Sequence, residues 1–132
     1  IPSIGFSLSN HSIDADFTAS QHFAKKIISQ VINTNYTNNI CLNVNIPNLS
    51  KELITGIKIC RQAKGNWVED YDERTDPMGR KYYWLTGKFV LEDSGTDTDE
   101  WALKNNYVSV VPVQPDVTDY TMSKEIKHLE NE

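Results

Sequence analysis

Ile4, Phe6 and Leu8 stand two residues apart near the start of the chain, with Gly5 among them. That period predicts a strand over residues 1–8, apolar enough to be a buried parallel one with neighbours on both sides. Ser9, Asn10, His11 and Ser12 follow as a polar loop. The period then changes. Ala19, Phe23, Ala24, Ile27, Ile28 and Val31 recur at three and four, so a helix is predicted over 17–33. Lys25, Lys26, Ser29 and Gln30 take its other face. Asp14 and Asp16 offer cap oxygens, and Thr18 with Gln21 fits a capping box. Over 40–46 the alternation is strict: Ile40, Leu42, Val44 and Ile46 on one side, Cys41, Asn43 and Asn45 on the other. Strand, helix and strand make a β-α-β unit, normally a right-handed crossover onto a parallel sheet.

Pro47 ends that strand, a loop runs over 49–55, and Gly56 reads as a breaker before a strand from Ile57 to about residue 62. From Trp67 to Val90 the character is different. Trp67, Tyr71, Tyr82, Tyr83 and Trp84 sit on otherwise very polar stretches, with Asp76-Pro77-Met78-Gly79 between them. Pro second and Gly fourth suit a type I turn, so a hairpin is predicted with strands 66–74 and 80–90. It is too polar for a core and too aromatic for solvent, and aromatics with Arg are what interfaces select. An acidic loop over 92–100 follows. Trp101, Ala102 and Leu103 read as a short turn, and Asn105-Asn106 can supply a left-handed residue. A strand over 107–111 is stopped by Pro112 and Pro115. A last helix, capped by Thr118 or Thr121 and running to about Leu129, carries a narrow stripe of Met122, Ile126 and Leu129. So short a helix must dock on something to be stable.

The pattern divides the chain into the end of an α/β sheet domain (1–65), a protruding hairpin arm (66–91), an acidic loop with the last strand (92–117) and a terminal helix (118–132). Residue 1 is not Met and the first strand begins at once, so the chain is expected to be cut from a longer one just before that strand. The 132 residues suit one domain, and the net charge is -5. Arg74, Arg80 and Lys81 are surrounded by Glu69, Asp70, Asp72, Glu73 and Asp76, so a nucleic-acid polymer is not an expected partner. No apolar run reaches the roughly 18–20 residues of a membrane span. The start lacks the basic region and cleavage site of a secretion signal, so a cytoplasmic location is expected and the Asn-x-Ser/Thr triplets at Asn10, Asn35 and Asn48 carry little weight. Cys41 and Cys60 lie in β-like apolar surroundings. Buried reduced thiols are the expectation, with a disulfide as the alternative.

Little here promises catalysis. His11, His22 and His128 have no zinc-ligand spacing, and the cysteines form no C-x-x-C. His11 follows the carboxyl end of a parallel strand, where α/β folds bind ligands, and Ser7, Ser9 and Asn10 share that place. Ser7, Asn10 and His11 are therefore the candidate substrate-binding residues, against a reading as plain loop residues. Asp93, Asp97 and Asp99 lack the Gly and Glu of a calcium loop and read as a solvated acidic loop, with a turn made through its side chain as the alternative for Asp99. The hairpin charges are expected to pair across the ladder. Trp67 and residues 82–84 could stack on a nucleobase, but packing in an interface is the favoured reading.

Several stretches, in the same order, resemble one known family, the stationary-phase survival proteins SurE. Residues 1–4 with Phe6-Ser7 resemble the strand before its amphipathic helix. Leu42-Asn43-Val44-Asn45-Ile46-Pro47 resembles its "LNINVP" strand, and Gly56-Ile57-Lys58-Ile59 then Arg61 the next one. Asp76-Pro77-Met78-Gly79 with Tyr82-Tyr83-Trp84 resembles the hairpin tip. Thr98-Asp99, Ala102, Tyr107-Val108-Ser109-Val110 and Pro112 resemble "TD…A…GYVSITP", with Asn106 where the family usually has Gly. Asp116-Val117-Thr118 leads into the terminal helix.

The resemblance implies the C-terminal half of a Rossmann-type α/β/α fold with a protruding β-hairpin and a C-terminal helix. It implies a parent 5'-nucleotidase, a phosphoric monoester hydrolase acting on nucleoside monophosphates. A divalent metal, Mg or Mn, would be held by an Asp pair, a Ser and an Asn that all precede residue 1, so no catalytic or metal-binding residue is carried over. It also implies that the hairpin and terminal helix build a homodimer or tetramer through Trp67, Tyr71, Tyr82, Tyr83, Trp84, Met122, Ile126 and Leu129. This part alone is expected to be inactive. The rival readings are a non-enzymatic binding or assembly module using the aromatic hairpin, and an unrelated small α+β hydrolase.

Overall fold

The apolar stripe of the long helix sets the core. In a computed structural model describing residues 2–36, 40–114 and 116–131, helix α1 (Thr18–Ile32) buries Ala19, Phe23, Ile27 and Val31. They pack on Leu42, Val44 and Ile46 of strand β2 (Cys41–Ile46) and on Val108 and Val110 further along the chain. Ala24 and Ile28, read above as part of the stripe, fall on its flank, and Ile28 stays exposed. The expected capping box does not form. Phe17 occupies the cap position, Thr18 is already helical, and Asp16 accepts from the Thr18 amide (2.8 Å) and hydroxyl (2.6 Å) instead. A box needs its hydroxyl at the cap itself, one residue earlier.

Strand β1 (Ser3–Leu8) pairs in parallel with β2, as the crossover predicts. β2 pairs antiparallel with β6 (Tyr107–Pro112), and β6 pairs in parallel with β3 (Gly56–Ile59). The order is β1-β2-β6-β3. Among the described residues β1 is paired on one side only, by β2; Ile4 and Leu8 are half-buried, Phe6 is exposed, and the second neighbour expected for the strand over 1–8 is not among the described residues. Ile1 and Pro115, read as a strand start and a strand stop, lie outside the described residues. Gly56 opens β3 rather than breaking before it, β3 ends at Ile59, and Pro112 is the last residue of β6, opposite Leu42. Asn106 does take the left-handed conformation, at φ 63°.

Hydrogen-bonding side chains move two further boundaries. The turn expected at 101–103 is a helix, α2 (Asp99–Lys104), because Thr98 accepts from the Trp101 amide (3.2 Å) and caps it. Ala102 is fully buried and packs with Cys60 and Val111 on the sheet face opposite α1. At the end of the chain, Asp119 and not Thr118 or Thr121 caps helix α3 (Tyr120–Glu125), accepting from the amides of Thr121 and Met122. The regular helix stops at Glu125 and tightens into a 3₁₀ segment, Ile126–Asn131. Cys41 and Cys60 are free thiols, and burial pushes the Cys60 thiol up.

Strands β4 (Gly65–Thr75) and β5 (Lys81–Leu91) form a separate two-stranded antiparallel sheet. Its turn is the expected one, with the Gly79 amide donating to the Asp76 carbonyl at 2.9 Å.

Candidate functional site

The carboxyl ends of the parallel pair β1 and β2 bring two loops side by side. The Ser9 amide donates to the Ile46 carbonyl (2.9 Å), so the first loop starts against the end of β2. Asn10 then ties both loops. Its Oδ1 accepts from the Ser12 amide at 2.8 Å, which closes a tight turn, and its Nδ2 donates to Asn48 Oδ1 at 3.3 Å. Ser7 lies within β1 opposite Asn45, and His11 is exposed in the loop beyond. Of the three predicted residues the structure places Asn10 at the centre of this rim, with Ser7 on the strand behind it. Asn48 was missed by sequence reasoning. Its signal was its position just past the end of a parallel strand, the same argument that picked out Asn10.

The arm is the second candidate. Alternation and register split it into two faces. Trp67, Tyr71, Tyr83, Leu85, Phe89 and Leu91 share one; Val68, Tyr82, Trp84 and Val90 share the other. The five predicted aromatics are thus not one patch. Trp67 is 60% exposed and Trp84 55%, on opposite sides. Leu85, Phe89 and Leu91 are exposed as well and were missed, since apolar residues on a strand read as core by default. Trp67 lies across Gly87, where an added Cβ would meet its Nε1 at 2.4 Å. Charge pairing across the ladder is only partly seen. Lys81 reaches Glu73 across the strands (2.7 Å), and Tyr83 donates to Glu73 (2.9 Å). Arg74 instead pairs with Asp72 on its own strand, and Arg80 with Asp76 within the turn, both at 2.8 Å. Exposed pairs of this kind are screened by solvent and contribute little to stability. Met122, Ile126 and Leu129 of the terminal helix are exposed too.

The acidic loop is not merely solvated, which corrects the reading of 92–100. Arg61, just past β3, grips Asp93 through Nη1 (2.6 Å) and Nη2 (3.1 Å), and Asp97 through Nε (2.9 Å). Asp93 also accepts from the Lys64 and Gly95 amides, and Asp99 from those of Ala63 and Glu100. The Arg61 guanidinium, then these amides, holds the Asp93 carboxyl well below the usual carboxylate range. Arg61 lowers Asp97 as well, and Asp93 with Asp97 raises Arg61 further. A depressed carboxyl contributes stability above its unfolded value and loses it only as pH falls through the folded one. The Asp93 carboxyl-carbon resonance is therefore expected to stay flat from about pH 8 to about pH 3, where an ordinary aspartate titrates near 4. A midpoint near 4 would mean that the Arg61 bond is absent in solution.

These carboxylates do not fit a divalent metal. Asp93 and Asp97 hold the Arg61 guanidinium, and among the described residues no group of three or more His, Cys, Asp or Glu could hold an ion. No helix among the described residues is long and apolar enough to cross a membrane.

The family model for survival protein SurE matches residues 1–69, just over half of the chain. The chain belongs to the SurE family. A protein named 5'-nucleotidase SurE from Christiangramia forsetii is 52% identical over 126 residues, covering 96% of this chain and 48% of that protein. Another of that name, from Flavobacterium psychrophilum, is 52% identical over 118 residues, covering 89% and 46%. The crystal structure of the SurE protein from Aquifex aeolicus superposes with a TM-score of 0.76 at 38% identity, over 98% of this chain and 52% of that one. The chain spans about half the length of the curated relatives it matches. The SurE likeness extends past residue 69 through the arm, α2 and β6, since the Christiangramia protein aligns along nearly the whole chain. The mixed α/β fold is that of the SurE structure.

Proposed function

We propose that this chain is the C-terminal part of a cytoplasmic, metal-dependent 5'-nucleotidase that hydrolyses nucleoside monophosphates. The supporting observation is the 52% identity to a protein named 5'-nucleotidase SurE, sustained over 96% of the chain. The metal, Mg or Mn, is assigned to residues outside those described. Ser7, Asn10 and His11 line one side of the substrate pocket, where a hydroxyl, a carboxamide and an imidazole give hydrogen bonds to phosphate or ribose oxygens. Their position at the carboxyl ends of β1 and β2 supports that role. The arm and the terminal helix assemble a homodimer or tetramer, since both carry exposed apolar side chains.

The test compares the 132-residue chain with the whole protein on nucleoside monophosphates, with Mg and with Mn. The whole protein is expected to hydrolyse them and the chain alone to leave them intact. Asn10→Ala and His11→Ala in the whole protein are each expected to raise KM roughly tenfold with a smaller effect on kcat. Hydrolysis by the chain alone at the whole protein's rate would sink this reading. A whole protein that assembles but hydrolyses nothing would make the chain a binding and assembly module.

A further inference from the structure

The arm is joined to the sheet at one end only, through residues 60–64 going out and 92–98 coming back. A two-stranded hairpin on two such connections has no intrinsic direction, because backbone rotations at its root swing the whole element. Here the root is stitched. The Arg61 and Asp99 backbones exchange hydrogen bonds with the opposite strand, Arg61 N–H to the Asp97 carbonyl and Asp99 N–H to the Arg61 carbonyl, each at 3.1 Å. The Glu92 amide donates to the Lys64 carbonyl (3.0 Å). Over this lies the guanidinium with its two carboxylates. The returning loop is anchored in turn to α2. Thr98, nearly fully buried, donates to the Gly95 carbonyl (3.0 Å) and caps α2, which packs on β6.

We propose that Arg61 is the positioning residue of the arm: its clasp on Asp93 and Asp97 fixes the direction in which the arm leaves the sheet. Two independent features point to a built device. One guanidinium spans two carboxylates that each lie two residues from Gly95, taking Asp93 through Nη1 and Nη2 and Asp97 through Nε, so the grip uses Arg's planar fork and not charge alone. And Gly95 leaves the grip its room. A Cβ there would stand 2.5 Å from Arg61 Nη2, 2.6 Å from Asp97 Oδ1 and 3.0 Å from Asp93 Oδ1, so with any larger residue the guanidinium or a carboxylate must shift. The purpose of a fixed direction rests on the proposed role of the arm in assembly; the clasp itself does not.

The test uses the chain with Arg61→Met, Arg61→Lys and Gly95→Ala, read by amide hydrogen exchange and backbone ¹⁵N order parameters. In all three, the Lys64 and Gly95 amides that bond Asp93 are expected to exchange roughly tenfold faster. The arm's order parameters are expected to fall below those of β2 and β6, while its own cross-strand amides stay protected. Gly95→Ala crowds the clasp with every charge retained, and Arg61→Lys keeps the charge without the fork. Wild-type behaviour of Arg61→Lys would overturn the proposal, as would an arm that stays ordered with the clasp open. Equal loss of protection in β2 and β6 would overturn it too, because Arg61 would then support only global stability. Light scattering on the same samples addresses assembly separately: a wild-type chain that is monomeric sinks the assembly reading and leaves the clasp standing.

Discussion

Val44→Asp is expected to abolish the folded state, seen as the absence of a cooperative thermal transition by circular dichroism. Val44 is completely buried at the middle of β2, opposite Phe6 of β1 and Val110 of β6, within the cluster that receives α1. No cationic residue belongs to that cluster. An unpaired carboxylate there either stays charged, at several kcal/mol, or takes a proton and still lacks hydrogen-bond partners. A domain of this size has only about 5–15 kcal/mol of stability to lose. Val44→Ala serves as the graded control. It leaves a cavity of two methyl groups and is expected to cost about 2 kcal/mol while keeping a cooperative transition. If Val44→Asp melted like the wild type, β2 would not be an interior strand of this sheet.

Trp67→Ser and Trp84→Ser are each expected to weaken self-association roughly thirtyfold or more, about 2 kcal/mol, while leaving the far-ultraviolet spectrum unchanged. Both rings are more than half exposed in the single chain, so truncation removes little from its own core. They lie on opposite faces of the arm, which makes the pair informative. If both faces are covered in the assembly, the two effects add, since they share no partner. If one face stays in solvent, only one substitution matters. Sedimentation over a range of concentrations reads the outcome. A double variant that associates like the wild type would remove the arm from the interface, leaving Met122, Ile126 and Leu129 to account for any assembly.

Much of the local structure was legible because period and polarity report one element at a time. Leu42, Val44 and Ile46 alternate in the sequence and are the buried face of β2. Ala19, Phe23, Ile27 and Val31 recur at helical spacing and are the buried face of α1. Asp76-Pro77-Met78-Gly79 predicted a turn and forms one. The misses cluster where one segment depends on another. Trp101 to Leu103 passed for a turn because a six-residue helix has too few positions to show a period; its cap and its burial against β6 make it helical. Asp93 and Asp97 looked like a solvated loop because their partner, Arg61, is about thirty residues away in sequence.

By itself the sequence determined where the chain turns, which residues seek the core and that the arm's aromatics have no place in it. These follow from side-chain chemistry and from the fixed repeats of helix and strand. Only the tertiary structure decided that β6 inserts between β2 and β3, antiparallel to the first and parallel to the second, that Asn10 meets Asn48, that the arm's aromatics divide between two faces, and that Arg61 holds its root. Each of those depends on register and on pairing between distant segments, which no local pattern encodes.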